Sequence, residues 1–341
     1  NHYADLFLKK KINYFNIISV CDKNISKAKI LSRKIGGNVY GNYKEMITKE
    51  KLDLILVLTF SGSHYQISRY ILNHGIHVLC EKPLTMTPSK SLELYKLSKS
   101  KKLMCGVIFQ NRFNAAIVCL KDALDKNFFG KIVKVSVSVL WCRYQDYYED
   151  GWHGTWINDG GVINQQAIHH VDILRWLFGP IKKVNCIMTK RINKLQAEDT
   201  AAAIIKFSNG SLGTIEATTA ARPIDLHASI TVVGEKGTAV ISGLAMNKIK
   251  TWKFINQSKK KEIEIIKKNS QNVPTGYGIG HIKYLNLAFE AILNKKIFPP
   301  VDAYEAYLTS KFVHGLYKSS ETRKWISIKS NPVSQKLGYK N

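Results

Sequence analysis

Two stretches of the chain carry residue types that could do chemistry. The first is Glu81-Lys82-Pro83, which follows Gly75-Ile76-His77-Val78-Leu79-Cys80 without a break. An apolar run ends, and a carboxylate, an amine and a proline come next. Gly75 reads as the stop of a helix and residues 76–80 as a buried strand. The tripeptide then stands at the strand's carboxyl end, where open α/β sheets bind ligands. A lysine there can donate hydrogen bonds, and desolvation readily lowers its pKa. Pro83 fixes the backbone after it and keeps Lys82 extended. The same three residues also fit a loop with a surface lysine.

The second stretch runs from Asp159-Gly160-Gly161 to Gly179. Residues 165–177 read as an amphipathic helix stopped at Gly179. His169 and Asp172 are three apart and share a face with Gln165 and Gln166. A histidine so placed can be a general base with a pKa near neutrality, or a core histidine whose ring is simply hydrogen-bonded. His153, His169 and His170, with Glu198 and Asp199, match no metal-ligand spacing, so no metal is expected.

The elements that must position these residues alternate in type. Residues 15–21 read as a buried strand ending at Asp22, and Asn24 can cap a helix running to Gly36-Gly37. Residues 54–58 read as a strand, 63–73 as a helix, and 103–107 as a further strand. Thr87-Pro88 opens the helix between as N-cap and first turn. This order predicts a parallel, doubly wound sheet. Asp22 would then bind a ribose 2′-hydroxyl and favour NAD over NADP, or it is a turn aspartate.

Near residue 108 the pattern changes. Residues 114–126 read as a helix. The segments 133–141, 183–189, 200–207, 213–219 and 228–233 alternate like half-buried antiparallel strands. Asn209-Gly210 marks a hairpin turn, and Gly234-Glu235-Lys236-Gly237 another. Residues 262–265 alternate like a sheet edge guarded by Lys259, Lys260 and Lys261. Residues 275–280 read as a flexible connection to a helix at 281–292, and Asp302 begins a final helix. A mixed or antiparallel sheet with helices on one face is expected here.

Composition bounds the rest. With 341 residues, 45% of them hydrophobic and 22% charged, the chain has the make-up of a soluble two-domain protein. No apolar run approaches the roughly 20 residues that span a bilayer. The first residues lack the order of a signal peptide, and the chain begins with Asn rather than Met. Six scattered cysteines without a CxxC pair suit a reducing cytoplasm. The net charge of +26 comes from dispersed lysines, not from a patch that would grip nucleic acid.

Glu81-Lys82-Pro83 after such a strand, with His169-x-x-Asp172 downstream, resembles the Gfo/Idh/MocA oxidoreductases. The resemblance implies a Rossmann-like dinucleotide domain at residues 1–107. An α+β domain with an open mixed or antiparallel sheet follows at 108–341, for substrate binding and homo-oligomer formation. It implies NAD as cofactor, with Asp22, Thr59, His64, Glu81, Lys82 and Gln110 around it. It also implies Lys82 and His169 as the catalytic pair.

The glycine fingerprint that should precede Asp22 is absent, and Asn1-His2 falls where the first helix is already under way. The first strand and phosphate loop are therefore expected to lie outside this chain. Gln165 stands where the family usually carries an aspartate, which leaves an Asp–His relay without its acid. Asn164-Gln165, Trp141-Cys142-Arg143 and the Trp152-to-Trp156 loop instead resemble the branch acting on nucleotide-linked uronic acids. That branch implies oxidation at C3 of a UDP-N-acetylated hexuronic acid for surface-polysaccharide synthesis. Arg143, Trp156, Asn164, Gln165, Asp172 and Arg222 would be its substrate residues. A free-sugar or inositol dehydrogenase, and a non-catalytic dinucleotide-binding sensor, are the other readings.

Overall fold

A computed structural model describes residues 2–8, 12–273 and 278–339. Asn1 and most of the expected flexible connection, residues 275–277, lie outside the described residues. The chain opens with α1 (His2–Leu8), β1 (Ser19–Cys21), α2 (Ile25–Ile35), β2 (Asn38–Tyr40) and α3 (Tyr43–Lys49). It continues through β3 (Leu54–Val57), α4 (His64–Asn73), β4 (His77–Glu81), α5 (Pro88–Ser100) and β5 (Cys105–Ile108). The second half holds α6 (Ala115–Asp125), β6 (Ile132–Leu140), α7 (Ile168–Phe178), β7 (Ile181–Thr189), β8 (Thr200–Phe207) and β9 (Leu212–Thr218). Then come β10 (His227–Gly234), β11 (Gly237–Ser242), β12 (Lys248–Phe254), α8 (Lys259–Asn269), α9 (Gly280–Leu293), α10 (Ala303–Thr322) and β13 (Ile326–Ser327).

Local chemistry accounts for several boundaries. Asn24 caps α2 by accepting from the Ser26 and Lys27 amides, and Gly36 ends it at φ 83°. Asp302 caps α10 through the Glu305 amide. Pro88 sits in the first turn of α5, where its missing N–H costs nothing.

The strands of the first half are all parallel, as the alternation with helices requires. β3, β4 and β5 pair side by side, and β1 pairs with β2. Among the described residues no strand pairs with both β1 and β3, so these stand as two separate sheets. The second half builds an eight-stranded sheet in the order β12-β11-β10-β6-β9-β8-β7-β13, antiparallel except for the β6–β9 pair. This is the expected α/β architecture, a Rossmann-like parallel sheet followed by a mixed sheet. Two cores result. Val135, Val137, Ile205, Ile215 and Ile230 of the large sheet pack on Val171 and Leu174 of α7 and Phe312 and Leu316 of α10. Val78, Leu79 and Val107 of the parallel sheet pack with Leu72, Leu94, Tyr284 and Phe289. Helix α9 thus returns to the first core. No described helix is long and apolar enough to cross a membrane.

Three expectations fail. The buried strand expected over residues 15–21 forms only at Ser19–Cys21, because its partner β2 begins at Asn38 opposite Ser19, and Ile18 is exposed. Residues 262–265 are not a sheet edge but part of helix α8. Ser258 caps it through the Lys261 amide, and its Ile265 and Ile266 pack on the core. The helix that carries His169 starts at Ile168, not at Gln165. The residues before it are held in turns. The Val162 and Ile163 amides bond to the Glu198 carbonyl and carboxylate, and the Asn164 side chain bonds to the Asp159 carbonyl.

Candidate active site

A cleft of about 1970 Å³ runs along the length of β1 and β3, past the carboxyl end of β4 and under the loop that follows β6. Strand β4 ends at Glu81 and so delivers Lys82 to its floor. Helix α7 delivers His169, and the preceding turn delivers Gln165 and Gln166. All of these line the cleft. The Lys82 amine donates to the Gln165 carbonyl at 2.9 Å and to its Oε1 at 2.6 Å. The Lys82 loop is itself pinned. The buried His64 ring bridges the Pro83 and Thr59 carbonyls, each at 2.8 Å.

The charges around Lys82 are unusual. Burial lowers the amine's pKa, and Glu81 and Asp159 offset only part of this. Burial alone would raise the Glu81 carboxyl. His281, the Tyr3 hydroxyl (2.5 Å) and Lys82 outweigh it and hold Glu81 at about 2. Asp159 is buried with one oxygen unpartnered, and burial pushes its carboxyl up to about 8. The His169 ring is held well below its ordinary pKa by burial and by the nearby Lys82. It is therefore neutral near pH 7, the form a general base needs. Its Nε2 lies 3.4 Å from the Gln110 amide nitrogen, and its Nδ1 has no partner among the described residues.

Of the residues that the sequence suggested for a cofactor, Asp22, Thr59, Glu81, Lys82 and Gln110 line the cleft. His64 stands behind it as a brace. The unpartnered buried Oε1 of Gln110 and Nδ1 of His169 are polar atoms waiting for a ligand. Asp22 meets the cleft at the end of β1. This donor and acceptor set fits a dinucleotide.

Of the residues suggested for a substrate, only Arg143 and Gln165 line the cleft. Arg143 extends over the faces of Trp141 and Tyr147 and pairs with Asp225 at 3.1 Å. Asn164 is buried under the turn. Trp156 packs edge-on against Tyr317 and under Lys336. Arg222 lies over the Tyr144 ring and donates to Asn193 at 3.1 Å. Asp172 is fully buried and takes two 2.7 Å bonds from Arg112 and one from Thr309. It ties α7 to α10 rather than facing the cleft. Tyr147, from the aromatic loop that the resemblance marked, and Gln166, beside Gln165, line the cleft as well. Asp225 lines it although nothing local in its sequence marks it, because the fold closes 82 positions of chain to bring it beside Arg143.

Comparison with known proteins gives the family. Residues 2–109 match the oxidoreductase family with an NAD-binding Rossmann fold, and residues 117–240 match the GFO/IDH/MocA C-terminal domain. The WlbA dehydrogenase from Chromobacterium violaceum, solved with NADH and UDP-GlcNAcA, is 30% identical with a TM-score of 0.88. That alignment covers 96% of this chain and 92% of that one. The Bordetella pertussis WlbA dehydrogenase, solved with the same ligands, is 29% identical with a TM-score of 0.85, over 91% and 89%. The D-glucoside 3-dehydrogenase of Escherichia coli is 23% identical over 91% of this chain and 89% of its own. Uncharacterised oxidoreductases of Schizosaccharomyces pombe and Synechocystis match at 26% and 24%, and the chain spans 56% and 64% of their lengths. The chain belongs to the Gfo/Idh/MocA family of oxidoreductases with an NAD-binding Rossmann fold.

Proposed function

We propose that this chain oxidises the C3 hydroxyl of a UDP-linked N-acetylated hexuronic acid. The observation that carries the reading is the meeting of Lys82 and His169 in one cleft whose far wall is Arg143 with Trp141, Tyr147 and Trp152. Likeness to two dehydrogenases solved with UDP-GlcNAcA supports it. Bound NAD supplies the hydride acceptor. The neutral His169 ring takes the proton from the substrate hydroxyl as the C–H bond opens. The Lys82 amine donates its remaining hydrogen to the same oxygen and stabilises the charge that develops there. Gln165 holds the amine in place. Arg143 offers a guanidinium to an anionic part of the substrate, and the aromatic faces beside it suit a sugar or a base. Asp22 holds the adenosine ribose.

In this reading the open face of the large sheet, with Ile187, Ile204 and Leu212 exposed, receives a second copy of the chain. The product, a 3-keto sugar nucleotide, would feed surface-polysaccharide synthesis. The test is steady-state NADH formation with UDP-GlcNAcA, glucose, a glucoside and myo-inositol. A kcat/KM highest for UDP-GlcNAcA supports the reading. A higher value for a free sugar or inositol would sink it in favour of a free-sugar dehydrogenase.

A further inference from the structure

The cleft wall beyond Lys82 carries a dyad that the reaction above does not use. His153 Nδ1 lies 2.6 Å from Asp150 Oδ2. The other oxygen of Asp150 accepts from the backbone amides of Trp152 at 3.1 Å and His153 at 3.0 Å. One carboxylate thus holds both the ring and the turn that bears it. The ring also lies between two others, 3.6 Å from the Trp152 centroid and 4.1 Å from that of Tyr147. Its orientation is fixed from three sides. His153 lines the cleft with Lys82 and Arg143, and its Nε2 has no hydrogen bond to the described residues.

A ring that gives Nδ1–H to a carboxylate presents either a lone pair or an N–H at Nε2, depending on its charge. The charged groups facing it are few. Burial lowers its pKa most, Asp150 raises it, and Lys82 and Arg143 lower it. Trp152, Tyr147 and, beyond Trp152, Phe60 bring no charge. With these neighbours alone the ring is therefore neutral at pH 7. An anion set among Lys82, Arg143 and His153 would reverse this balance, because it screens both cations and attracts a proton to the ring.

The geometry points to a proton-coupled anion subsite. In it, a carboxylate or phosphate oxygen of the substrate accepts a hydrogen bond from His153 Nε2 after the ring takes one proton from solvent. This rests on the substrate being an anionic nucleotide sugar, as proposed above. The sign follows from linkage. Bound anion raises the ring's pKa, so binding is strongest below the free ring's value, under about 6.5, and weakens as pH rises toward the value in the complex.

The test is calorimetric titration of UDP-GlcNAcA into the full chain with NADH present, in HEPES and in Tris at pH 7.5, two buffers that differ in ionisation heat and bring no phosphate. Buffer-dependent heat should report proton uptake approaching one per site. Affinity should fall about tenfold between pH 6 and 7.5, where one pKa unit is tenfold. His153→Gln and Asp150→Asn should each remove most of the uptake and flatten this slope. UDP-GlcNAc and free glucuronic acid, run alongside, identify the phosphate or the carboxylate as the anion. UDP-GlcNAcA binding with uptake and slope unchanged in His153→Gln overturns the subsite alone. Failure of every UDP-sugar to bind, with a free sugar oxidised, overturns the substrate reading, and the subsite falls with it.

Discussion

The Lys82 amine is clamped by a single residue, Gln165, which accepts from it through both its carbonyl (2.9 Å) and its side-chain oxygen (2.6 Å). Two of the three ammonium hydrogens are thereby committed, and one remains for a ligand. The clamp spans 83 positions of sequence. It works only because the 162–166 turn is fastened underneath. Gly161 approaches Glu198 so closely that a Cβ there would sit 2.1 Å from the Glu198 carbonyl oxygen. The Gly161 amide also bonds the Tyr317 hydroxyl at 3.0 Å.

Removing either member of the pair should remove turnover but not cofactor. Lys82→Ala and His169→Ala are each expected to lower kcat about 10²-fold or more, the usual weight of a positioned acid or base. NAD affinity, read by titration, should change little. Turnover at the parent rate in either variant would take that residue out of the mechanism.

Gln165→Asp places a carboxylate on the Lys82 amine, whose pKa burial now lowers. An opposite charge at hydrogen-bond distance raises an amine's pKa. If the protonated amine is the active form, the alkaline limb of the kcat/KM profile should move up by about one unit or more. A limb that stays in place would mean that Lys82 does not set it.

The Arg112–Asp172 pair should matter to stability more than to chemistry. Both partners are buried, with side chains 5% and 1% exposed, so removing Asp172 takes two bonds from the Arg112 guanidinium and leaves its charge to Glu305 at 2.8 Å. Asp172→Ala is expected to cost about 3 kcal/mol in urea denaturation, the low end for a broken buried pair because Glu305 still offsets the charge. Full stability with lost activity would instead place Asp172 at the substrate.

Glu198 should make stability fall as pH rises. Burial lifts its carboxyl from 4.5 to about 7 despite bonds from Tyr317 and the Ile163 amide. The folded state therefore prefers the neutral acid. Its contribution is complete below the unfolded value near 4.5 and is lost through pH 7. Glu198→Gln keeps an oxygen acceptor without the charge. It should raise stability at pH 8 by up to roughly 3 kcal/mol and change it little at pH 4. Equal melting shifts at both pH values would refute the assignment.

What the sequence determined by itself is what neighbouring residues decide. The apolar run 76–80 followed by Glu81-Lys82-Pro83 placed a lysine at a strand end, and β4 ends there. Asn24 and Asp302 marked helix starts because a cap acts within three residues. Alternation of strand and helix yielded the parallel sheet, and period-two burial yielded β8, which runs over residues 200–207 as read. Helix α8 was misread for a local reason. Ile263 and Ile265 are two apart, yet Ile263 is exposed, and the packed pair is Ile265 with Ile266.

What only the tertiary structure decided is which side chains face the cleft. His169 and Asp172 are three apart on one helix. The first lines the cleft, while Arg112 and Thr309, 60 and 137 positions away, draw the second into the interior. Arg143 and Arg222 look alike in sequence, but Asp225 and two aromatic faces set one at the cleft, whereas Asn193 and Tyr144 hold the other outside it. A buried charge goes where a partner can neutralise it. That partner comes from distant chain, so local sequence could name the candidates but not choose among them.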